Sequence, residues 1–212
     1  VPTCKRGRAC PPAPPARHAH GMAWSSALGK VIVFGGATTA DQPLSDTWAF
    51  DGTTWTRLAT NAGPSARYLF GMAEDAATGK IVVYGGVGSG GVYTDATTWI
   101  LDPTTATWTA VRTPTIPEMR AEMGMAYVAS IGAVVMATGG TVAGCQSWTN
   151  SAYAYDVAAK DWRKLATSGG PPTARNAANL TANLCDGSAI LTGGTHDNKM
   201  PITLQDRTWI LR

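Results

Sequence analysis

The sequence predicts an all-β fold in which four antiparallel, four-stranded units close into one ring. Three observations predict it. The first is an apolar run ending in Gly-Gly that occurs four times. It reads Gly29-Lys30-Val31-Ile32-Val33-Phe34-Gly35-Gly36, then Gly79-Lys80-Ile81-Val82-Val83-Tyr84-Gly85-Gly86. It returns as Gly132-Ala133-Val134-Val135-Met136-Ala137-Thr138-Gly139-Gly140 and as Gly187-Ser188-Ala189-Ile190-Leu191-Thr192-Gly193-Gly194. Such runs suit buried strands closed by tight turns. The second is the period: the Gly-Gly pairs lie 50, 54 and 54 residues apart, which marks a repeat architecture. The third is composition. Twenty-four glycines and thirteen prolines in 212 residues suit many turns, and no amphipathic helix of useful length is legible.

The elements follow in order. In repeat one, Arg17-His18-Ala19-His20-Gly21-Met22-Ala23-Trp24 alternates like a strand, here strand a. Val31–Phe34 is strand b, Asp46–Asp51 carries strand c, and Trp55-Thr56-Arg57-Leu58 is strand d. Repeat two has Arg67, Thr98–Asp102 and Trp108, and repeat three has Arg120, Ala152–Asp156 and Trp162. Repeat four has Arg175 and Thr208–Leu211, with no strand d after them. Aligning Pro171–Arg175 with Ala13–Arg17 puts Cys4 where Trp162 stands. Residues 3–9 are therefore expected as strand d of the last unit. An exchanged end strand abolishes the open edges of an all-β ring. The expected whole is a single, complete domain, with units at about 17–60, 67–113, 120–167 and 175–212 plus 3–9. The fourth residue after each arginine is Gly21, Gly71, Gly124 and Asn179, which suits backbones approaching closely at an axis.

Gly-Gly after an apolar strand, an aromatic on strand c, and a Trp some six residues after an Asp together resemble the kelch repeat. The resemblance covers nearly all of the chain and implies a four-bladed kelch-like β-propeller. It also places strand a innermost and the d–a and b–c loops on one face. Four blades depart from the six or seven common in that family.

Composition excludes several classes. Apolar residues make up 44% and charged residues 15%, so there is material for a core and no sign of disorder. The net charge of +3 is small, and Lys5, Arg6 and Arg8 form a cluster too short for a nucleic-acid track. No apolar run approaches the ~18 residues of a membrane span. The chain begins at Val1, so targeting is not legible. No Gly-x-Ser-x-Gly, phosphate loop or Cys-x-x-Cys is present.

Four repeat arginines are the first site candidates. On the kelch layout Arg17, Arg67, Arg120 and Arg175 surround the mouth of the channel, where guanidinium would hold carboxylates, phosphates or sugar oxygens. The competing reading ties each one to neighbouring loop carbonyls. Tyr68 lies beside this face, and Tyr93 and Trp148 in the b–c loops offer rings for stacking on a sugar or gripping a peptide. The alternative is that these rings cover the blade tops.

Histidines offer a second candidate. His18 and His20 are one strand step apart, and His196 with Asp197 falls in the b–c loop expected beside blade 1. These four would suit a divalent metal with nitrogen and oxygen ligands. Arg17-His18-Ala19-His20 also resembles the Arg-x-x-His of ordinary kelch blades, where the second histidine is packed. No cofactor is otherwise implied. Comparison with kelch-fold enzymes transfers no activity: Glu118-x-x-x-Glu122 lacks the following His of the nitrile-specifier motif.

The four cysteines suggest two disulfides and hence an oxidising, extracellular setting. Repeat alignment pairs Cys4 with Cys185 and Cys10 with Cys145, clasping the end strand. The rival pairing is Cys4–Cys10 with Cys145–Cys185. The expected function is a secreted binding module holding an anionic or hydroxyl-rich ligand, a glycan or a protein loop, on its arginine face. The alternative is an isomerase or lyase using His18, His20 or Glu122 for acid–base work. A monomer or a strand-exchanged assembly is expected, without nucleic acid or membrane partners.

Overall fold

The computed structural model describes residues 12–141, 147–166, 174–195 and 209–211. Blade 1 is β1 (Gly21–Ser25), β2 (Lys30–Phe34), β3 (Thr47–Phe50) and β4 (Trp55–Leu58). Blade 2 is β5 (Gly71–Asp75), β6 (Lys80–Tyr84), β7 (Thr98–Asp102) and β8 (Thr107–Val111). Blade 3 is β9 (Gly124–Val128), β10 (Ala133–Ala137), β11 (Ala152–Asp156) and β12 (Asp161–Lys164). Blade 4 contributes β13 (Asn179–Ala182), β14 (Ala189–Thr192) and β15 (Trp209–Leu211). Each sheet runs in chain order with antiparallel neighbours. The fold is a four-bladed propeller, as the period predicts. The expected end strand, residues 3–9, lies outside the described residues.

Strand a starts later than the alternation suggests. It opens four residues after each arginine, because Ala19, Leu69, Glu122 and Ala177 take left-handed φ values of 51–58°. The bend turns their backbones toward the neighbouring blade. Leu69 N donates to Ala19 O at 3.0 Å, Glu122 N to Leu69 O at 2.8 Å, and Ala177 N to Glu122 O at 2.9 Å. A girdle of backbone bonds thus ties the blades at the channel mouth. His18 and His20 flank this bend, so they do not share one strand face as the alternation implied.

The third turn shifts the repeat register by one. Gly36 N, Gly86 N and Gly139 N donate to Arg67 O, Arg120 O and Arg175 O, so Gly139 matches Gly36. Thr138, at φ 62°, fills the place held elsewhere by Gly35 at 60° and Gly85 at 70°. The turns therefore follow the arginines, which are 50, 53 and 55 residues apart.

Three inter-blade cores hold the blades together. Ile32, Phe34 and Ala49 pack with Phe70, Met72 and Val83 between blades 1 and 2. Val82 and Tyr84 pack with Met123, Met136 and Tyr155 in the next interface, and Val135 and Ala154 with Leu180 and Leu191 in the third. The strand-d tryptophans reach back across these seams. Trp108 lies 5.0 Å from Phe34 and Trp162 5.4 Å from Tyr84, ring centre to ring centre. Their indoles donate to Thr47 and Thr98 of the preceding blades. Burying each ring contributes about 2–3 kcal/mol. Trp48 is buried, whereas Trp55 and Trp99 are half-buried.

The inner glycines do mark close approach. A Cβ on Gly21 would lie 2.3 Å from the Phe70 ring, and one on Gly124 2.7 Å from Leu180 Cβ. Contacts this short leave no room for a side chain.

Candidate functional site

The d–a and b–c loops share one end of the propeller, as expected. Above each sheet they form a short bridge ladder. His18 pairs with Ala37 and Ala37 with Pro43; Tyr68 pairs with Val87 and Val87 with Tyr93. In blade 3 the same ladder joins Ala121, Gly140 and Trp148. These ladders set Tyr68 and Tyr93 on either side of Val87, both half-buried, with Val92 exposed next to them. His18 stands edge-on to Tyr68, with ring centres 6.3 Å apart. Its Nε2 lies 3.3 Å from Asp41 Oδ1 in a solvent-exposed pair, a geometry worth little energy. Trp148 is half-buried, and its indole N–H has no hydrogen-bond partner among the described residues.

The arginines are not free at the mouth. Arg67, Arg120 and Arg175 are fully buried, and the Arg17 side chain nearly so. Each Nη1 donates to the carbonyl eighteen residues ahead: Gly35, Gly85, Thr138 and Gly193. These are the carbonyls of the left-handed turn residues, which the sheet ladder leaves unpaired. Arg17 is held in a fork by Asp46 at 2.7 and 2.9 Å. Arg67 also bonds Ser65 and Thr94, and Arg120 bonds Ser151 and Glu118. Burial draws the Arg67 guanidinium down to about 10, still cationic at neutral pH. The expected cationic mouth is therefore corrected: the charge lies inside, shared among carbonyls and hydroxyls.

Among the described residues of this face, Asp41, Asp95 and Glu118 are exposed and Glu122 is half-buried, with Glu118 paired to Arg120, and Arg112 and Lys164 are exposed cations. Glu122 accepts a bond from Asn176 Nδ2 across the blade 3–4 seam. Partial desolvation and then the Arg17 charge lower the His20 pKa. His18, His20 and Glu122 are thus each engaged with separate neighbours. The structure does not assemble them into an acid–base pair.

The metal and cysteine expectations fare differently. No cluster of three or more His, Cys, Asp or Glu able to hold a metal occurs among the described residues. His196 and Asp197 lie outside them. Cys185 is exposed with a free thiol, and its expected partner Cys4 lies outside the described residues. Cys4, Cys10 and Cys145 lie outside the described residues.

Sequence reasoning missed Asp46, Ser65, Thr94 and Ser151, the groups that receive the guanidiniums. The constant eighteen-residue spacing from each arginine to its turn was the available signal. It also missed Val92.

The family model described as the KLHDC2/KLHL20/DRC7 Kelch-repeats domain matches residues 3–208. No curated protein matches the chain significantly. No helix among the described residues is long and apolar enough to cross a membrane.

Proposed function

The chain belongs to the kelch-repeat family, and from that premise we propose that it holds a segment of a partner protein on its loop face. Kelch domains generally serve as protein-interaction modules. The observation that carries the proposal is the Tyr68–Val87–Tyr93 ladder, with exposed Val92 beside it. Backbone pairing fixes where both tyrosines stand and partial burial restricts their rings, which lowers the ordering cost when a ligand covers them. Tyrosines of this kind give apolar area and a polar tip together, as interface anchors do.

The charge of the face selects the ligand. Exposed Asp41 and Asp95 disfavour an anionic ligand and favour a cationic one. The partner segment is accordingly basic and carries an apolar or aromatic anchor. The arginines serve the site by bracing the turns that carry the ladder.

Selection of a random peptide library on the immobilised domain tests this, with a glycan array as the second arm. Enriched peptides rich in Lys or Arg, released by Tyr68→Ala with Tyr93→Ala, are expected. Enrichment of acidic peptides, or binding on the glycan array alone, would overturn it.

A further inference from the structure

The inner strands of all four blades line a cavity of about 630 Å³, with Ala76, Ala129 and Leu184 of the a–b turns at its rim. It therefore opens at the end of the channel opposite the loop face. Matched positions of the repeat build it in two tiers. By strand pairing, Met22, Met72, Met125 and Leu180 are equivalent, and so are Trp24, Glu74, Tyr127 and Ala182. The first tier also lines a smaller cavity on the loop side, so it is an apolar, thioether-rich floor between the two ends. The second tier is where the blades differ.

That difference has a chemical direction. β5 packs between β1 and β9, so Trp24 of blade 1 and Tyr127 of blade 3 stand on separate walls, with Glu74 of blade 2 between them. Among the described residues Glu74 is the one charged side chain of the lining, and no Lys, Arg or His joins it. Its Oε1 accepts bonds from Ser26 N at 2.6 Å and Ser26 Oγ at 2.8 Å, which anchor the carboxylate without neutralising it. The ion pairs of the described residues do not involve it. Burial and then the Asp75 charge raise the Tyr127 hydroxyl above its usual pKa, which places a second carboxylate beside this wall. Blade 4 contributes apolar Leu180, Ala182 and Leu184.

The walls thus combine two rings, one carboxylate and an apolar side. Trp24 is 56% exposed and Leu184 94%, apolar surface of the kind that marks a binding site. The volume falls within the roughly 300–1,000 Å³ of small-molecule sites. A cation is attracted to aromatic faces, and a carboxylate in a cavity otherwise free of charge concentrates positive ligands. Rings and thioethers offer a primary ammonium few acceptors for its N–H groups, whose loss of water would then cost energy. A quaternary ammonium has no N–H to satisfy.

We propose that this cavity binds a small organic cation with a quaternary ammonium head and an apolar remainder. The head sits beside Glu74, between Trp24 and Tyr127, and the remainder lies along Leu180 and Leu184. The methionine floor adapts to the shape of the ligand, because thioether side chains are flexible and polarisable.

Calorimetric titration of the full chain with benzyltrimethylammonium and with choline tests this, with 3,3-dimethylbutanol as the uncharged isostere of choline. Both cations should bind, the benzyl compound more tightly, and the isostere should bind at least about tenfold more weakly than choline. Trp24→Ala and Glu74→Gln should each weaken benzyltrimethylammonium binding by at least about tenfold. Trp24 is exposed and the new Gln keeps an acceptor for Ser26, so both variants should retain the wild-type melting temperature. Phosphatidylcholine vesicles and a trimethyllysine peptide form separate arms. Binding of either one while both free cations fail to bind would overturn the small-molecule ligand. Equal binding of choline and its isostere would overturn recognition of the charge. Affinity untouched by both substitutions, or no binding in any arm, would overturn the site itself.

Discussion

Arg67 Nη1 reaches the carbonyl of Gly85 at 3.0 Å, and the same bond, eighteen residues apart, recurs in every blade. Arg67 is fully buried, so its removal leaves a buried carbonyl, two hydroxyls and a cavity. Arg67→Ala should cost about 2–4 kcal/mol and lower the melting temperature accordingly. The measurement is thermal unfolding by circular dichroism. A variant that melts with the wild type would remove the bracing role.

The inner glycines carry the next prediction. Around Gly124 a new Cβ meets Leu180 N at 2.9 Å and Ala178 O at 3.2 Å, backbone atoms that cannot rotate away. Gly124→Ala should destabilise by about 1–3 kcal/mol. Asn179→Ala, at the exposed counterpart in blade 4, should stay within about 0.5 kcal/mol. Equal effects in urea titrations of the two variants would contradict the close-approach account.

Asp46 links the loop face to acid stability. Burial alone raises its pKa, but bonds from Arg17 and the Trp48 indole outweigh this and hold it below the usual carboxylate value. The folded pKa lies below the unfolded one. Its contribution is thus present above about pH 4 and lost as pH falls through the folded value. Asp46→Asn should lower stability at pH 7 by about 1–3 kcal/mol and flatten the stability curve below pH 4. An unchanged slope there would show that the carboxylate is not coupled to folding.

Cys185 is exposed with a free thiol. A thiol reagent should label it in the native, unreduced protein, giving one modified peptide that contains residue 185. No labelling before reduction would mean that the thiol is already bonded.

The fold was largely legible because four apolar runs, four arginines and three inner glycines repeat together. What misled was residue chemistry read without the backbone. Gly139-Gly140 looks like the third turn, yet Thr138 takes the left-handed position there, a conformation disfavoured for a β-branched residue. Ala19, Leu69, Glu122 and Ala177 likewise bend where no glycine announces it, so the strand start was set too early. The repeat arginines lie buried inside the loops rather than at the mouth. Four guanidiniums counted as surface charge, although each had a turn carbonyl waiting eighteen residues ahead. The loop aromatics were visible, but the ladder that aligns Tyr68 with Tyr93 through Val87 depends on pairing between two loops.

The central claim is that ligand contact comes from the loop rings while the arginines only brace them. Calorimetric titration of a library-enriched basic peptide against wild type and the Tyr68→Ala, Tyr93→Ala double variant tests this most directly. The account predicts at least a tenfold loss of affinity, about 1.4 kcal/mol or more, with an unchanged melting temperature. Undiminished affinity in that variant would contradict it.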